Sequence, residues 1–233
     1  GRFRGPNGSG TASGALPGVL DSASSMLWSV ELPSGYSSPI VTNGRVFVTG
    51  ADRTHLMTLC VDEASGEILW RRAVGYDGRR VGQNSAAAAS PVTDGARVYV
   101  VFHQIGLIAY DLEGQELWRQ ELGPFRIPHG LSTSPIVHDD LVVQLVDQDM
   151  DAFLVAFDKL TGEERWRVDR PGVSHSYSTP ALYLPAEGPA QVVVLGSLEV
   201  TGYGIEDGQR LWWSGGSGGM SQCRPVFRGE LCI

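Results

Sequence analysis

The sequence predicts an all-β chain of small sheets stacked side by side, and three observations carry that reading. A phrase ending in tryptophan recurs at a near-constant period, a second phrase built on a hydroxyl and a proline keeps step with it, and the runs between are short and apolar. The first phrase reads Val61-Asp-Glu-Ala-Ser-Gly-Glu-Ile-Leu-Trp70, Tyr110-Asp-Leu-Glu-Gly-Gln-Glu-Leu-Trp118, Phe157-Asp-Lys-Leu-Thr-Gly-Glu-Glu-Arg-Trp166 and Gly204-Ile-Glu-Asp-Gly-Gln-Arg-Leu-Trp212. Its tryptophans, Trp70, Trp118, Trp166 and Trp212, stand 48, 48 and 46 residues apart. A fixed period of this size decides an architecture before any single residue does.

Each part of the phrase has a physical job. Asp62, Asp111 and Asp158 can accept hydrogen bonds from the backbone just ahead of them. Gly66, Gly114, Gly162 and Gly208 can take positive φ before the next strand begins. The tryptophan then buries a large ring once per repeat, with an indole N–H that needs a partner. Trp28, in Leu27-Trp-Ser-Val-Glu-Leu32, has no such turn before it and reads as the end of a repeat that begins elsewhere.

The second phrase is Ser/Thr-x-Pro or Ser-Pro with an apolar pair behind it, at Pro39, Pro91, Pro135 and Pro180, and as Arg-Pro at Pro225. Between the two phrases lie strand-like runs such as Arg45-Val-Phe-Val-Thr49, Arg97-Val-Tyr-Val-Val-Phe102 and Gln191-Val-Val-Val-Leu195, bounded by turn residues. Leu56 to Val61 is apolar on both alternating faces, as a sheet covered on both sides requires. Four strands per repeat, each sheet sandwiched by its neighbours, is the signature of antiparallel blades around an axis: a β-propeller. A two-sheet sandwich with ordinary core tryptophans would not require the motif to recur in step.

The expected layout is an extended leading segment over 1–26 and a propeller domain over 27–233. Within it fall a terminal strand at 27–32, blades at about 37–74, 89–122, 133–168 and 178–214, and a partial blade at 223–233. Ring closure would pair the strand around Trp28 with sequence beyond this chain, so the expectation is a fragment of a longer protein. Open strand edges left in this way promote association.

Composition excludes several classes. Acidic residues outnumber basic ones by 26 to 18, the net charge is −8, and no Lys/Arg cluster neutralises phosphates, so nucleic acid is not an expected partner. No run approaches the ~18 apolar residues of a membrane span. Residues 1–20 lack the basic start and apolar core of a signal peptide, and Gly1 is not an initiator Met, which fits a removed export signal or a gene fragment. Cys60, Cys223 and Cys232 match neither a disulfide framework nor zinc spacing. A hairpin turning at Arg228-Gly229 would set Cys232 opposite Pro225, two residues out of register for a bridge to Cys223.

Function is expected at the loops joining each outer strand to the next inner strand, around the channel mouth. The candidate partner-binding residues there are Tyr36, Asn84, His129, Ser132, His175, Tyr177 and Gln222, with His129 and His175 at corresponding positions. The simpler structural reading has the hydroxyls capping inner strands and the histidines solvating the mouth. Asp147-Gln-Asp-Met-Asp151 has the alternating carboxylates of a calcium loop's first half, with Asp158 at the twelfth position, but Ala152 stands where that loop needs Gly; a solvated hairpin turn is the better reading. Ser9 and the glycine-rich tract at 215–219 lack the strand–turn–helix context of a nucleophile elbow or phosphate loop.

The Asp-x-x-Thr-Gly-Glu-x-x-Trp phrase, complete at Asp158 to Trp166, resembles the tryptophan-docking repeat of the PQQ-like propellers, shared by quinoprotein dehydrogenases and BamB-type outer-membrane assembly proteins. Phe3-Arg-Gly-Pro-Asn-Gly-Ser-Gly10 and Phe153 to Gly162 look like an exported bacterial subfamily of such repeat proteins with unassigned function. The resemblance implies seven or eight blades and a periplasmic or otherwise exported location. It implies two functions: a non-catalytic scaffold binding a protein or polymer, without cofactor, or a PQQ- and calcium-dependent oxidoreductase of alcohols or sugars using an Asp base. The quinoprotein enzymes carry an adjacent Cys-Cys pair against the cofactor, and no two cysteines are adjacent here, which favours the scaffold.

Overall fold

The computed structural model describes residues 1–5, 8–11, 14, 18–19, 21, 25–79, 82–216, 225–228 and 231–232. Four antiparallel four-stranded sheets follow one another along the chain. The first contains β1 (Ile40–Thr42), β2 (Arg45–Ala51), β3 (His55–Asp62) and β4 (Ile68–Gly75); the second β5 (Val92–Thr93), β6 (Arg97–Phe102), β7 (Gly106–Asp111) and β8 (Glu116–Gln120). The third contains β9 (Ile136–His138), β10 (Leu141–Val146), β11 (Phe153–Asp158) and β12 (Glu164–Asp169); the fourth β13 (Ala181–Tyr183), β14 (Gln191–Leu195), β15 (Glu199–Gly204) and β16 (Arg210–Gly215). Strand order within each sheet is sequence order, so every connection is a hairpin. The inner strands β1, β5, β9 and β13 are neighbours in turn, which makes the sheets blades around a common axis.

The double-sided apolar runs now have a direction. On β7, Ile108 and Tyr110 face the first blade while Leu107 and Ala109 face the third; on β10, Val142 and Val146 face the second blade while Val143 and Leu145 face the fourth. The second and third blades are thus each half of two cores, and period-2 alternation feeds both. Cys60 sits inside the first such core, where burial pushes its thiol up to about 11.

The tryptophan phrase is the joint between blades. Trp70, on outer strand β4, donates its indole N–H to Leu112 O of the second blade at 2.8 Å. Trp118 reaches Lys159 O of the third at 3.1 Å, and Trp166 reaches Ile205 O of the fourth at 2.9 Å. The acceptor is always the second residue of the next blade's turn. The seat is that turn's glycine: a Cβ on Gly114, Gly162 or Gly208 would meet the ring of Trp70, Trp118 or Trp166 at 2.7 Å. Those glycines have φ of 82°, 76° and 72°, so one residue type answers both the turn conformation and the flat contact. On its own blade each tryptophan lies opposite a small residue, Cys60, Ala109 or Ala156, at a bulge repeated in every blade. Burial of such a ring is worth on the order of 4–6 kcal/mol before side-chain entropy.

The turn aspartates hold the seat in shape. Asp62 Oδ1 accepts from the N–H groups of Ala64 and Ser65, Asp111 Oδ1 from Glu113 and Gln115, and Asp158 Oδ1 from Leu160 and Thr161. The fourth repeat has Gly204 at that position, and Asp207 instead accepts from Gln209 N–H at 2.9 Å. Trp212 lies over Gly202 of its own blade and donates to Gln191 Oε1 at 2.7 Å.

Three expectations need correction. Residues 27–32 form no strand; only Ser34 bridges Ala51. Trp28 nevertheless docks like the others, donating to Glu63 O at 2.8 Å with its ring against Gly66, because docking needs a seat and not a ladder. The start of the leading segment is not extended: Gly1 exchanges both backbone hydrogen bonds with Thr93, and the chain then turns through Gly5, Gly8 and Gly10, all at positive φ. The last hairpin pairs β17 (Phe227–Arg228) with β18 (Leu231–Cys232), setting Cys232 opposite Phe227 and not Pro225. Cys223 lies outside the described residues.

Gly162→Ala should lose about 2–4 kcal/mol in urea unfolding, combining αL strain with overpacking against Trp118. Gly44→Ala, at φ 70° with open space around it, should lose only about 1 kcal/mol. Equal losses would mean that the ring contact does not matter.

Candidate functional site

Residues of the loops after β4, β8 and β12 come together on one face of the fan, beside the neighbouring inner strands. The hydroxyl–proline phrase organises that face. Ser38 N–H donates to Ser90 Oγ at 2.8 Å, Ser90 N–H to Ser134 Oγ at 2.9 Å, and Ser134 N–H to Thr179 Oγ1 at 3.2 Å. Each hydroxyl accepts from the equivalent residue of the preceding blade, so the capping of inner-strand ends runs as a ladder between blades. The following proline fixes the hydroxyl residue in an extended conformation, which keeps the ladder in register.

Beside the ladder lies a cavity of ≈ 420 Å³. Of the sequence-derived candidates, Tyr36, Asn84, His129, Ser132 and Tyr177 line it. Tyr36 is placed by its N–H bond to Ala87 O at 3.0 Å. The His129 ring lies 6.0 Å from that of Tyr177 and packs on Gly82, where a Cβ would meet Nδ1 at 2.6 Å. Burial pushes the Tyr177 phenol up. Gln222 lies outside the described residues.

His175 does not line the cavity. Its Nδ1 lies 2.6 Å from Asp149 Oδ1, which also accepts from Ser174 Oγ at 3.0 Å, and its ring meets Tyr177 edge-on at 5.9 Å. Asp149, on the β10–β11 turn, draws the imidazole toward that turn. The symmetry with His129 that the sequence implies is therefore broken by a partner that His129 lacks.

The same turn accounts for its other acidic residues. Asp147 is fully buried and receives Arg170 Nε at 2.7 Å and Nη2 at 3.2 Å, with Ser176 Oγ at 2.8 Å. Arg170 Nη1 also donates to the Tyr203 hydroxyl of the fourth blade. Burial alone would lower the Arg170 pKa, but Asp147 and then Tyr203 raise it, keeping the guanidinium charged. Asp151 takes φ 56° to turn the chain. Asp147 serves an ion pair within the third blade whose arginine reaches on to Tyr203 of the fourth, and Asp149 and Asp151 belong to the hairpin turn.

Sequence reasoning missed several contributors, Phe3, Arg4, Ser90, Ser134 and Thr179 among them. Phe3 and Arg4 form one wall, carried there by the pairing of Gly1 with Thr93, a contact across 92 positions. Ser90, Ser134 and Thr179 read in sequence as the start of a repeat; the signal that finds them as site residues is the hydroxyl retained before proline in four successive repeats. Among the described residues lining the cavity there is no carboxylate and no thiol. The set offers the amide oxygens of Gln83 and Asn84 but no carboxylate to balance the charge of a calcium ion beneath PQQ, and is a poor fit to that group.

Blades joined by docked tryptophans, with a polar cavity on one face, define a β-propeller of PQQ-like repeats. The family model described as "Outer membrane protein assembly factor BamB" matches residues 11–124 and 57–219, and the chain belongs to that family. The outer membrane protein assembly factor BamB of Kangiella koreensis is 26% identical over 179 residues, 70% of this chain and 41% of that protein. The chain thus spans about two fifths of that relative's length. BamB from Moraxella catarrhalis superposes with a TM-score of 0.58 at 19% identity, covering 87% of this chain and 55% of that one. A europium-containing methanol dehydrogenase superposes with a TM-score of 0.64 at 14% identity, covering 82% and 43%. At these identities the two structural likenesses establish the fold alone.

Ser134→Ala should cost about 1–3 kcal/mol, because it leaves the buried Ser90 N–H without its acceptor. Ser134→Thr should restore stability, as Thr179 does naturally in the next blade; failure of that rescue in urea titrations would argue against the ladder. The Asp149 carboxyl is held below the usual carboxylate range chiefly by the His175 side chain. Its contribution to stability is therefore present above the ordinary carboxylate pKa and lost as pH falls through the lower folded value. In His175→Ala, carbon-detected NMR titration should find this pKa raised toward its ordinary value.

Proposed function

We propose that this chain is part of a non-catalytic propeller that works outside the cytoplasm and binds a protein or polymer partner through the face where its outer-to-inner loops converge. The observation that carries this reading is the chemistry of the cavity on that face. Its amides, hydroxyls, imidazole and aromatic rings are groups that can hold a partner. Membership in a family described as outer membrane protein assembly factors supports both the export and the partner-binding role.

The oxidoreductase reading rests on fold likeness to a methanol dehydrogenase, and fold alone does not carry function. Its cofactor would need ligands that the described cavity residues do not provide.

Photo-crosslinking residues placed at Tyr36 or Asn84 in the cell envelope should yield discrete adducts. The same probe at Asn43, in the β1–β2 turn on the opposite face, should not. Equal labelling from both faces would contradict the reading, as would saturable one-to-one binding of PQQ with calcium accompanied by dye reduction with alcohols.

A further inference from the structure

The hydroxyl ladder has a chemical remainder. Ser90, Ser134 and Thr179 are each more than nine-tenths buried, and each accepts a backbone N–H from the blade before it. A hydroxyl has one proton and two lone pairs, so each of the three retains its own O–H to donate. All three line the same cavity. The fold therefore presents a row of pre-oriented donors, one per blade, at spacings fixed by the stacking of the inner strands.

The rest of the lining narrows what would accept them. Asn84, Gln83 and His129 both donate and accept, and Tyr36 and Tyr177 offer ring faces. An apolar anchor such as a buried leucine would find only Ala88, Phe3 and these rings among the apolar groups. A cation would find no carboxylate among the described lining residues. An anion would find the exposed Arg4 guanidinium, on a chain whose net charge of −8 repels it. A neutral, oxygen-rich ring with polar edges and weakly polar C–H faces satisfies donors, acceptors and aromatic faces together. The volume of ≈ 420 Å³ lies within the usual range for a small-molecule site.

We propose that the cavity bordered by Asn84, His129, Tyr177 and the Ser90–Ser134–Thr179 ladder binds a neutral saccharide ring. The inference deepens the polymer arm of the proposed function and rests on that reading. The sugar comes either from a glycan chain or as a free sugar, and both present the same hydroxylated ring.

Saturation-transfer NMR and calorimetry on the full chain would use glucose, cellobiose, maltotriose and N,N′-diacetylchitobiose, with trigalacturonate as the charged comparison. Saturable binding of a neutral sugar is expected, weakened about tenfold in Asn84→Ala with an unchanged unfolding midpoint. Tyr36→Ala, at an exposed position, should also weaken it without unfolding the chain. Affinity that rises with oligomer length assigns the ring to a glycan, whereas equal affinity for glucose assigns it to a free sugar; either result supports the site. Preference for trigalacturonate, or no saturation transfer from any neutral sugar, overturns it. If sugars fail while crosslinks from Tyr36 still capture a protein, the saccharide inference falls and the scaffold reading stands.

Discussion

The docking of one blade's tryptophan on the next blade's glycine is the contact on which the rest of this structure depends. Small four-stranded sheets cannot each bury enough surface to be stable alone. The Trp–Gly joint fixes both the distance and the rotation between them, because a flat ring on a residue without a Cβ leaves one close approach. The indole N–H, bonded to the second carbonyl of the same turn, removes the remaining freedom to slide. Once the outer edges are set in this way, the inner strands converge and their hydroxyls come into reach of the neighbouring backbone.

That order of causes links scaffold to site. The ladder from Ser38 to Thr179 exists only because adjacent inner strands are held at hydrogen-bonding distance. The cavity lies against that ladder, which lines it together with residues of the loops leading into the inner strands. Between the third and fourth blades the buried Asp147–Arg170 pair, with Tyr203 and Ser176, adds a polar joint. A buried pair of this kind is often no more stabilising than apolar packing, and its better-attested role is to fix one arrangement over others.

The fold was legible because its determinant is local and repeated. A turn aspartate, a glycine and a tryptophan within ten residues announce each blade, and alternation supplies the strands. The site was legible only in position. Loop order placed Tyr36, Asn84, His129, Ser132 and Tyr177 near the channel mouth, but side-chain direction depends on tertiary partners. His175 reads like His129 in sequence and is drawn aside by Asp149, 26 residues away. Phe3 and Arg4 reach the cavity only through the contact between Gly1 and Thr93. Trp28 reads in sequence as the end of a strand, which the structure does not form, while its docking on Gly66 and Glu63 came only from the structure.

If tryptophan docking is what makes the blades one cooperative unit, its indole protons report it directly. Native-state hydrogen exchange of the indole N–H groups, followed by ¹⁵N NMR, should find those of Trp70, Trp118 and Trp166 released with a common free energy equal to that of global unfolding. The exposed Trp213 should exchange freely. Docked indoles that exchange early and independently of one another would mean that the blades hold together without them, and would contradict the account.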